Sequence, residues 1–347
     1  MKLFNFFIKQ KITSQQTTQE TLPISWYRSI TYQYFFIQVC LALERIGFLN
    51  ALISQKEVNI KEFAKTQNIS LRLLETCAEF LWATTDILEK DGNIVRLLNN
   101  NFPKALWVLA AYKPVFDNLA EILKEEKKYG RDVSRDGYYL QKASVLFSGD
   151  AVRLALLALE NEKSGQLIDF GCGAANSLID YCRHDNTRIA LGIDIDSDVA
   201  QAARKNVEEA GLNNRIVIVE ADTLNFEKWQ SFISKERPQY FLASTMIHEF
   251  LRNGEEFVID FLAKIRANFS NSQFFIIEFD AMSFEKIKTE TDAERKLFAA
   301  MYELWHPITN QGMPQPREVW EKIITKSGWK VKSVIKADMN LLIYHCE

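Results

Sequence analysis

The amino-acid sequence predicts an α/β protein in which a mostly parallel sheet follows a mainly helical N-terminal domain. After Gly165, short apolar runs rich in β-branched and aromatic residues alternate with amphipathic stretches, which is the pattern of a parallel sheet covered by helices. Up to about residue 160, apolar residues instead recur at helical spacing. The last two apolar runs, 329–338 and 340–347, are joined by a turn too short for a crossover helix, so we expect them to pair antiparallel.

Bulk composition limits the class of protein. The chain has 347 residues, 47% hydrophobic and 25% charged, so we expect two globular domains, at 1–160 and 161–347. The formal net charge of −3 gives no general attraction to nucleic acid or to an acidic membrane, and neither is expected as a partner. Five cysteines without a CxxC pair, and no run of 18 apolar residues, favour a cytoplasmic protein.

The N-terminal domain is predicted to contain a winged-helix-like segment. Residues 60–67 and 71–82 have the spacing of two short helices, and 87–98 that of two strands joined by an Asp-Gly turn. A winged helix invites the idea of DNA binding, but the seven Lys and Arg residues between 48 and 105 are balanced by seven Asp and Glu residues. This neutral segment lacks the basic surface that phosphate contact requires. We therefore expect a packing or dimerisation module, and a homodimer.

A glycine-rich loop follows the first strand of the α/β part. The strand ends at Asp169, and Gly171 and Gly173 follow at once. Glycines let the backbone turn sharply and approach a ligand closely, and the next helix offers free N–H groups. A G-x-G alone is a weak signal, because several classes of nucleotide site and ligand-free turns carry it. Asn176 stands where the GxGxxG of dinucleotide enzymes would have its third glycine.

Carboxylates follow the next two predicted strands. Asp194 comes 21 residues after Gly173, the distance at which a carboxylate can accept both ribose hydroxyls of a nucleotide. Asp194 could instead cap a helix, but Asp196 is better placed to do so. The third strand runs into Asp222, which could accept from an adenine amino group or cap its own loop. The pattern favours an adenosine-containing ligand.

A histidine and a glutamate lie at the ends of the fourth and fifth predicted strands. Ligands of open α/β sheets bind at the carboxyl edge of the strands, and both His248 and Glu278 fall there. Glu278 could hold the imidazole ring while His248 takes a proton from a substrate. The alternative is that His248 caps a helix or satisfies a backbone carbonyl. An insertion at about 281–313 has helical spacing and an aromatic face, which predicts a lid.

Taken together, these segments resemble the class I S-adenosylmethionine-dependent methyltransferases. The matching pieces are DFGCGAA, GIDIDSD, EADTLNF, STMIHEF and the terminal hairpin, which span about half of the chain. The resemblance implies a seven-stranded Rossmann-like sheet of order 3-2-1-4-5-7-6 with the last strand antiparallel. It places the methionine end of S-adenosylmethionine near Asp169, Gly171 and Gly173, and the adenosine between Asp194 and Asp222. The family's third glycine is Ala175 here, and we expect only a mild effect, because that glycine mainly permits close helix packing.

The resemblance narrows to the small-molecule O-methyltransferases with a winged-helix-like N-terminal domain. In that group the N-terminal domain makes a dimer and lends residues to the pocket for a small-molecule acceptor. The match implies that His248 is the general base and that Glu278 is the residue beside it. The group's acid after the histidine is Asp where this chain has Glu249, and its tryptophan is Phe250 here.

A metal-assisted reaction is the first alternative. His306 lies in the 281–313 insertion, and His248, Glu249 and His306 would form a set of two histidines and one carboxylate, which suits Fe(II) or a related divalent ion. Some bacterial enzymes that resemble this group methylate a carbon of 2-oxo acids with such a metal. We favour the general-base hypothesis, because it needs only His248 and Glu278.

Two further alternatives belong to other functional classes. A winged helix joined to a ligand-binding α/β domain is also the plan of a ligand-sensing transcription regulator. The neutral N-terminal segment and the His248/Glu278 pair argue against that interpretation. An inactive subunit that supports a partner enzyme stays open from the sequence.

Overall fold

The computed structural model describes residues 24–99, 102–160 and 164–347. Contacts divide the chain into two compact units, one up to Ala111 and one from Tyr112 to Glu347. The division falls inside the helix Phe102–Asp117. Residues 112–160 thus group with the second unit by their contacts, whereas the functional boundary expected from the sequence lies near residue 160.

The first unit is mainly helical and carries a small sheet. Its elements, in chain order, are α1 (Ile24–Arg45), α2 (Phe48–Gln55), β1 (Glu57–Asn59), α3 (Ile60–Thr66), α4 (Leu71–Thr84), β2 (Leu88–Asp91), β3 (Ile94–Leu97) and the start of α5 (Phe102–Asp117). Two helices and a hairpin lie where the sequence placed them. Strand β1, which the sequence did not predict, pairs antiparallel with β3 and completes the order β1-β3-β2.

Local signals explain why α3 and α4 form. The Asn59 side chain accepts hydrogen bonds from the backbone N–H groups of Lys61 and Glu62 and so caps α3. Helix α4 buries Leu74, Ala78 and Leu81, which lie on one face at helical spacing. Among the described residues, no single helix is long and apolar enough to cross a membrane; one strongly bent pair, Arg28–Arg45 with Phe48–Gln55, meets the length and composition test jointly.

The second unit contains a seven-stranded sheet between helices. Its strands are β4 (Gln166–Phe170), β5 (Ile189–Asp194), β6 (Ile216–Glu220), β7 (Gln239–Ser244), β8 (Gln273–Phe279), β9 (Val331–Lys336) and β10 (Leu341–Cys346). Its helices are α6 (Leu119–Leu123), α7 (Gly137–Leu157), α8 (Asn176–His184), α9 (Ser197–Glu209), α10 (Phe226–Trp229), α11 (Glu255–Asn268), α12 (Phe284–Thr289), α13 (Ala293–Ile308) and α14 (Arg317–Lys326). Short 3₁₀ turns lie at Gln230–Phe232, Ile247–Asn253 and Asp338–Asn340.

The sheet has the strand order expected from the resemblance. The order is β6-β5-β4-β7-β8-β10-β9, and β10 runs antiparallel to both of its neighbours while the other pairs described are parallel. Expressed in strand order along the α/β part, this is 3-2-1-4-5-7-6, so the prediction is confirmed. Strand β4 is buried along its whole length, because it lies at the centre of a sheet with helices on both faces.

Aromatic packing in the core and the parallel register of the strands bring the carboxyl ends of the central strands together. The ring of Phe170 packs against those of Trp229, Phe241 and Phe274 at centroid distances of 5.4, 5.6 and 6.1 Å. Parallel register places Asp169 beside Gly192 and Leu242. The carboxyl ends of β4, β5, β7 and β8 therefore meet at one edge of the sheet, where the predicted functional residues lie.

The predicted insertion folds as two helices, α12 and α13. The Asp292 side chain accepts from the backbone N–H of Arg295 at 2.7 Å and caps α13. Helix α13 buries Phe298, Tyr302, Trp305 and His306, so its aromatic face is turned inward. The helical spacing predicted for this segment is thus confirmed.

Candidate functional site

The loop after β4 is built on left-handed glycines. Gly171 and Gly173 have φ values of +69° and +53°, a region that favours glycine. The backbone N–H groups of Gly171 and Cys172 donate to the Ile193 carbonyl at 2.8 and 3.1 Å, which holds the loop against β5. A Cβ atom at Gly192 would lie 2.7 Å from Cys172 Sγ. Gly192 is therefore needed for the loop to pack on β5, a requirement that the sequence analysis did not identify.

Ala175 occupies a more demanding position than the sequence suggested. It has φ 63° and ψ 21°, is fully buried, and immediately precedes α8. A left-handed conformation costs a residue with a Cβ roughly 1–2 kcal/mol. This position therefore requires a left-handed backbone, a demand that the expectation of a mere helix-packing role did not include.

Asp169 lies buried at the end of β4, beside the loop. The Ser177 hydroxyl of α8 donates a hydrogen bond to its Oδ2 atom. Burial raises the pKa of Asp169 to about 7; the hydrogen bond from Ser177 opposes this shift and the negative charge of Asp194 adds to it. Asp169, Gly171 and Gly173 line one cleft together with residues of α7 and with Ser244 at the end of β7.

Asp194 joins the ends of β5 and of the glycine loop. Its Oδ2 atom accepts from the backbone N–H of Gly173 at 3.0 Å, and its Oδ1 atom accepts from that of Asp196 at 3.1 Å. Burial raises the pKa of Asp194, and these backbone hydrogen bonds oppose the shift. Asp196 in turn caps α9, as the sequence predicted. Asp222 is half-buried, and its Oδ1 atom accepts from the backbone N–H of Leu224 at 2.9 Å.

His248 and Glu278 form a buried pair at the same edge of the sheet. His248 lies in the 3₁₀ turn after β7, and Glu278 is on β8. His248 Nδ1 is 2.8 Å from Glu278 Oε2, and the His248 backbone N–H donates to Glu278 Oε1 at 3.0 Å. A carboxylate that accepts two hydrogen bonds keeps the ring proton on Nδ1, so the lone pair of a neutral His248 lies on Nε2.

His306 of α13 lies directly against His248. Its Nδ1 atom is 2.6 Å from the Tyr302 carbonyl oxygen, and its Nε2 atom is 3.3 Å from His248 Nε2. A carbonyl only accepts, so His306 Nδ1 also carries a proton. Both Nε2 atoms would then face each other with lone pairs. The geometry is satisfied when one proton lies between the two imidazoles.

The surroundings assign that proton to His248. Burial alone would lower the pKa of His248, but the charge of Glu278 and its hydrogen bond outweigh burial, so the pKa is raised. Burial and, after it, the positive charge of a protonated His248 lower the pKa of His306 to about 3. The raised pKa of His248 and the lowered pKa of His306 therefore favour His248 Nε2 as the atom that carries the shared proton when one is present.

Glu249 does not join the two histidines. Its Oε1 atom accepts from Gln311 Nε2 at 2.8 Å and lies 3.6 Å from Arg135 Nη2. Within residues 24–99, 102–160 and 164–347, no group of three or more His, Cys, Asp or Glu side chains is arranged to hold a metal ion. Of the predicted three-ligand set, the structure brings His248 and His306 together and turns the Glu249 carboxylate to Gln311, so this arrangement does not support the set.

Arg135 is a residue of this region that the sequence analysis missed. It lies in the segment between α6 and α7, and its side chain is only 15% exposed. Its Nε atom donates to the Tyr129 hydroxyl at 2.8 Å, and its Nη1 atom donates to the Tyr112 hydroxyl at 3.4 Å. An arginine in an irregular segment has no periodicity by which a sequence could single it out.

The sheet order, the glycine loop and the carboxylate after β5 define the fold of the class I S-adenosylmethionine-dependent methyltransferases. No family model matches the chain. The chain is 22% identical over 303 residues to Methyltransferase ungE' of Aspergillus campestris (strain IBT 28561), which covers 82% of this chain and 85% of that protein. This sequence relative points to the same class as the fold.

Solved structures give the same fold over almost the whole chain. The mitomycin 7-O-methyltransferase MmcR superposes with a TM-score of 0.63 at 13% identity, over 93% of this chain and 97% of that one. Human N-acetylserotonin methyltransferase in complex with SAM superposes with a TM-score of 0.63 at 12% identity, over 96% and 99%. At such low identity these likenesses concern the fold. Fold and sequence relative together support an S-adenosylmethionine-dependent methyltransferase.

Proposed function

We propose that this protein transfers a methyl group from S-adenosylmethionine to an oxygen atom of a small-molecule acceptor, with His248 as the general base. The observation that carries the proposal is the buried His248–Glu278 pair at the carboxyl edge of the sheet, with Nδ1 and Oε2 2.8 Å apart. Glu278 fixes the ring and its proton, so that Nε2 is the atom that receives the acceptor's proton. General-base catalysis by such a histidine contributes roughly 10²–10⁴-fold in rate.

The residues at the glycine loop fit the proposed cofactor. A Cβ atom at Gly173 would meet only Gln141 Cγ at 3.8 Å, so the free face of the loop is open to a ligand. The Ser244 hydroxyl, which lines the same cleft, is buried and has no hydrogen-bond partner among the described residues. A polar ligand would satisfy it. These features suit the polar methionine end of S-adenosylmethionine, whose sulfonium supplies the electrophilic methyl group.

The adenosine end is assigned to two carboxylates. Asp194 accepts from the Gly173 N–H through Oδ2 and from the Asp196 N–H through Oδ1, and each oxygen keeps a further lone pair for a ribose hydroxyl. Asp222 caps its loop with Oδ1, and the proposal gives Oδ2 to the adenine amino group. The hydrogen bond from the Gly173 N–H to Asp194 joins the proposed ribose site directly to the proposed methionine site.

His306 sets a condition on the catalytic step. The acceptor's hydroxyl must replace His306 Nε2 as the partner of His248 Nε2, because those atoms lie 3.3 Å apart. The hydroxyl must also meet a neutral His248, since an imidazolium cannot accept a proton. Loss of the shared proton therefore precedes methyl transfer in this proposal.

The alternatives have weaker support. Metal-assisted C-methylation of a 2-oxo acid lacks its third protein ligand, because Glu249 is held by Gln311. A ligand-sensing regulator would have no use for a buried base held by two hydrogen bonds to one carboxylate. An activity assay is needed to distinguish an enzyme from an inactive subunit that supports a partner enzyme.

The test is methyl transfer from S-adenosylmethionine labelled in its methyl group. The purified protein is incubated with a panel of small phenols and other hydroxylated compounds, and the position of the label in the product is read by NMR. Label on oxygen is the expected result. Label on carbon alone, or no transfer to any compound while S-adenosylhomocysteine binds, would contradict the proposal.

We further propose that the protein is a homodimer formed through the first unit. Helix α1 leaves Ile30, Tyr34 and Phe35 exposed, and such side chains on one helix are suited to a two-fold interface. Light scattering at tens of micromolar should give the mass of two chains. A single-chain mass at that concentration would contradict this assignment.

A further inference from the structure

A cluster of hydrogen-bond donors lies beside the histidine pair and has no role in the mechanism above. It consists of Arg135, Tyr112, Tyr129 and Trp305, and we call it the donor cluster. The positive charge of Arg135 acts on both histidines: it opposes the rise in the pKa of His248 caused by Glu278 and adds to the fall in the pKa of His306 caused by burial. The donor cluster is therefore within electrostatic reach of the atoms that would handle the acceptor's proton.

The guanidinium of Arg135 is buried but incompletely paired. Its side chain is 15% exposed, and two of its donors reach only the neutral hydroxyls of Tyr129 and Tyr112. The carboxylate paired with it, Glu249 Oε1, lies 3.6 Å from Nη2, whereas charge-assisted hydrogen bonds are about 2.7–2.9 Å long. That oxygen already accepts from Gln311. A buried cation in this state has capacity for a closer anion.

Trp305 supplies a second donor without an acceptor. It is 6% exposed, and its Nε1 atom has no hydrogen-bond partner among the described residues. Its ring stacks on that of Tyr112, with centroids 4.8 Å apart and planes 18° apart, and the Tyr112 hydroxyl in turn accepts from Arg135. Trp305 also immediately precedes His306 on α13. Unsatisfied buried donors are rare, and this one is linked through Tyr112 to an underpaired guanidinium, which indicates a missing acceptor group.

We infer that the methyl acceptor carries a carboxylate, which Arg135 binds with help from the Trp305 N–H while the reacting oxygen lies at His248. This inference rests on the proposed function and names the class of its substrate. A planar guanidinium matches a carboxylate through two parallel hydrogen bonds, and the surrounding rings of Tyr112, Trp305 and Phe147 favour a flat, aromatic body. The donor cluster thus selects acidic over neutral acceptors of the same shape.

The test compares acids with their neutral amides. The probes are 4-hydroxybenzoate, 4-hydroxyphenylacetate and 3-(4-hydroxyphenyl)propanoate, whose carboxylates lie at increasing distance from the hydroxyl, each with its carboxamide. Affinities are measured by calorimetry with S-adenosylhomocysteine saturating. In the native protein at least one acid should bind about tenfold more tightly than its amide, because a hydrogen bond to a charged group is exchanged for one to a neutral group. Equal affinities, or no binding of any acid, overturn the inference.

Substitutions test whether Arg135 and Trp305 cause the preference for acids over amides. Arg135→Gln should abolish the difference between acid and amide, Arg135→Lys should keep part of it, and Trp305→Phe should reduce it. The matched control is Arg131→Gln, four residues earlier, where the side chain is 65% exposed and paired with Asp132. An unchanged preference in Arg135→Gln, or an equal loss in the control, overturns the inference. If Arg135→Gln does not fold, judged by its melting temperature and cofactor affinity, the Lys variant and the native comparison decide.

Failure of the carboxylate-binding inference can be distinguished from failure of the proposed methyl-transfer function. Methyl transfer to neutral phenols with no advantage for acids leaves the methyltransferase proposal standing and removes this inference. Tight, Arg135-dependent binding of acids without transfer to any acceptor supports the anion site and removes the proposed reaction.

Discussion

Replacement of Glu278 by Gln tests the link between geometry and catalysis at a single pair of atoms. Glu278 accepts from His248 Nδ1 and from the His248 backbone N–H, at 2.8 and 3.0 Å, and both residues are buried. A glutamine has one acceptor oxygen for these two donors. If the oxygen keeps the backbone N–H, the amide donates to Nδ1 and moves the ring proton to Nε2, the atom that must be free to act as the base.

The expected size of the effect follows from those contacts. A hydrogen bond to a charged group contributes about 1.5–3 kcal/mol, so Glu278→Gln should lower the free energy of unfolding by about that amount. The value of kcat/KM should fall roughly 10²–10⁴-fold, because most of the base function is lost with the wrong tautomer. Affinity for S-adenosylhomocysteine should stay within about twofold, since none of the proposed cofactor residues touches Glu278.

The assay combines methyl-transfer kinetics, calorimetry with S-adenosylhomocysteine and thermal unfolding. The control is Glu256→Gln, an exposed glutamate on α11 whose side chain is 78% exposed. A Glu278→Gln enzyme within about fivefold of native kcat/KM would refute the reasoning. So would an equal loss in Glu256→Gln.

The remaining predictions concern the cofactor, the metal and pH. Asp194→Ala should weaken binding of S-adenosylhomocysteine by about 1–3 kcal/mol in calorimetry, because charged hydrogen bonds are lost; unchanged affinity would remove Asp194 from the site. Activity should survive exhaustive treatment with EDTA, because the Glu249 carboxylate is held by Gln311 and not by the two histidines; loss of turnover that returns with Fe(II) would instead support the metal-assisted reaction. The pKa of His248 is raised, so kcat/KM should fall as pH drops through a value above the usual ~6.5 of histidine. In Glu278→Gln this acid limb should move to lower pH, and a limb that stays in place would exclude His248 as its source.

Much of the fold follows from the sequence, because its determinants are local. Regular alternation of β-branched strands with helices dictates a parallel sheet, and the short connection before 340 dictates the antiparallel last strand. The pairing of His248 with Glu278 is also predictable, since His248 follows β7 and Glu278 lies near the carboxyl end of the neighbouring β8. In each case the spacing along the chain fixes the position in space.

Other parts of the site depend on tertiary packing that spacing does not encode. The 3₁₀ turn after β7 directs His248 toward His306 but directs Glu249 toward Gln311. No sequence pattern indicates that these adjacent side chains point to different partners. Arg135 lies in an irregular segment whose position is set only when Tyr112 and Tyr129 pack around it. The left-handed backbone at position 175 could not be predicted, because alanine, unlike glycine, does not indicate a positive φ.

The rate of methyl transfer by His248→Ala, measured at saturating S-adenosylmethionine with an acceptor that the native protein methylates, tests the central claim most directly. The comparison variant is His184→Ala, a histidine at the end of α8 whose side chain is 57% exposed. We expect His248→Ala to lose roughly 10²–10⁴-fold in rate with unchanged affinity for S-adenosylhomocysteine, and His184→Ala to match the native protein. A His248→Ala enzyme that transfers methyl at the native rate would contradict the account.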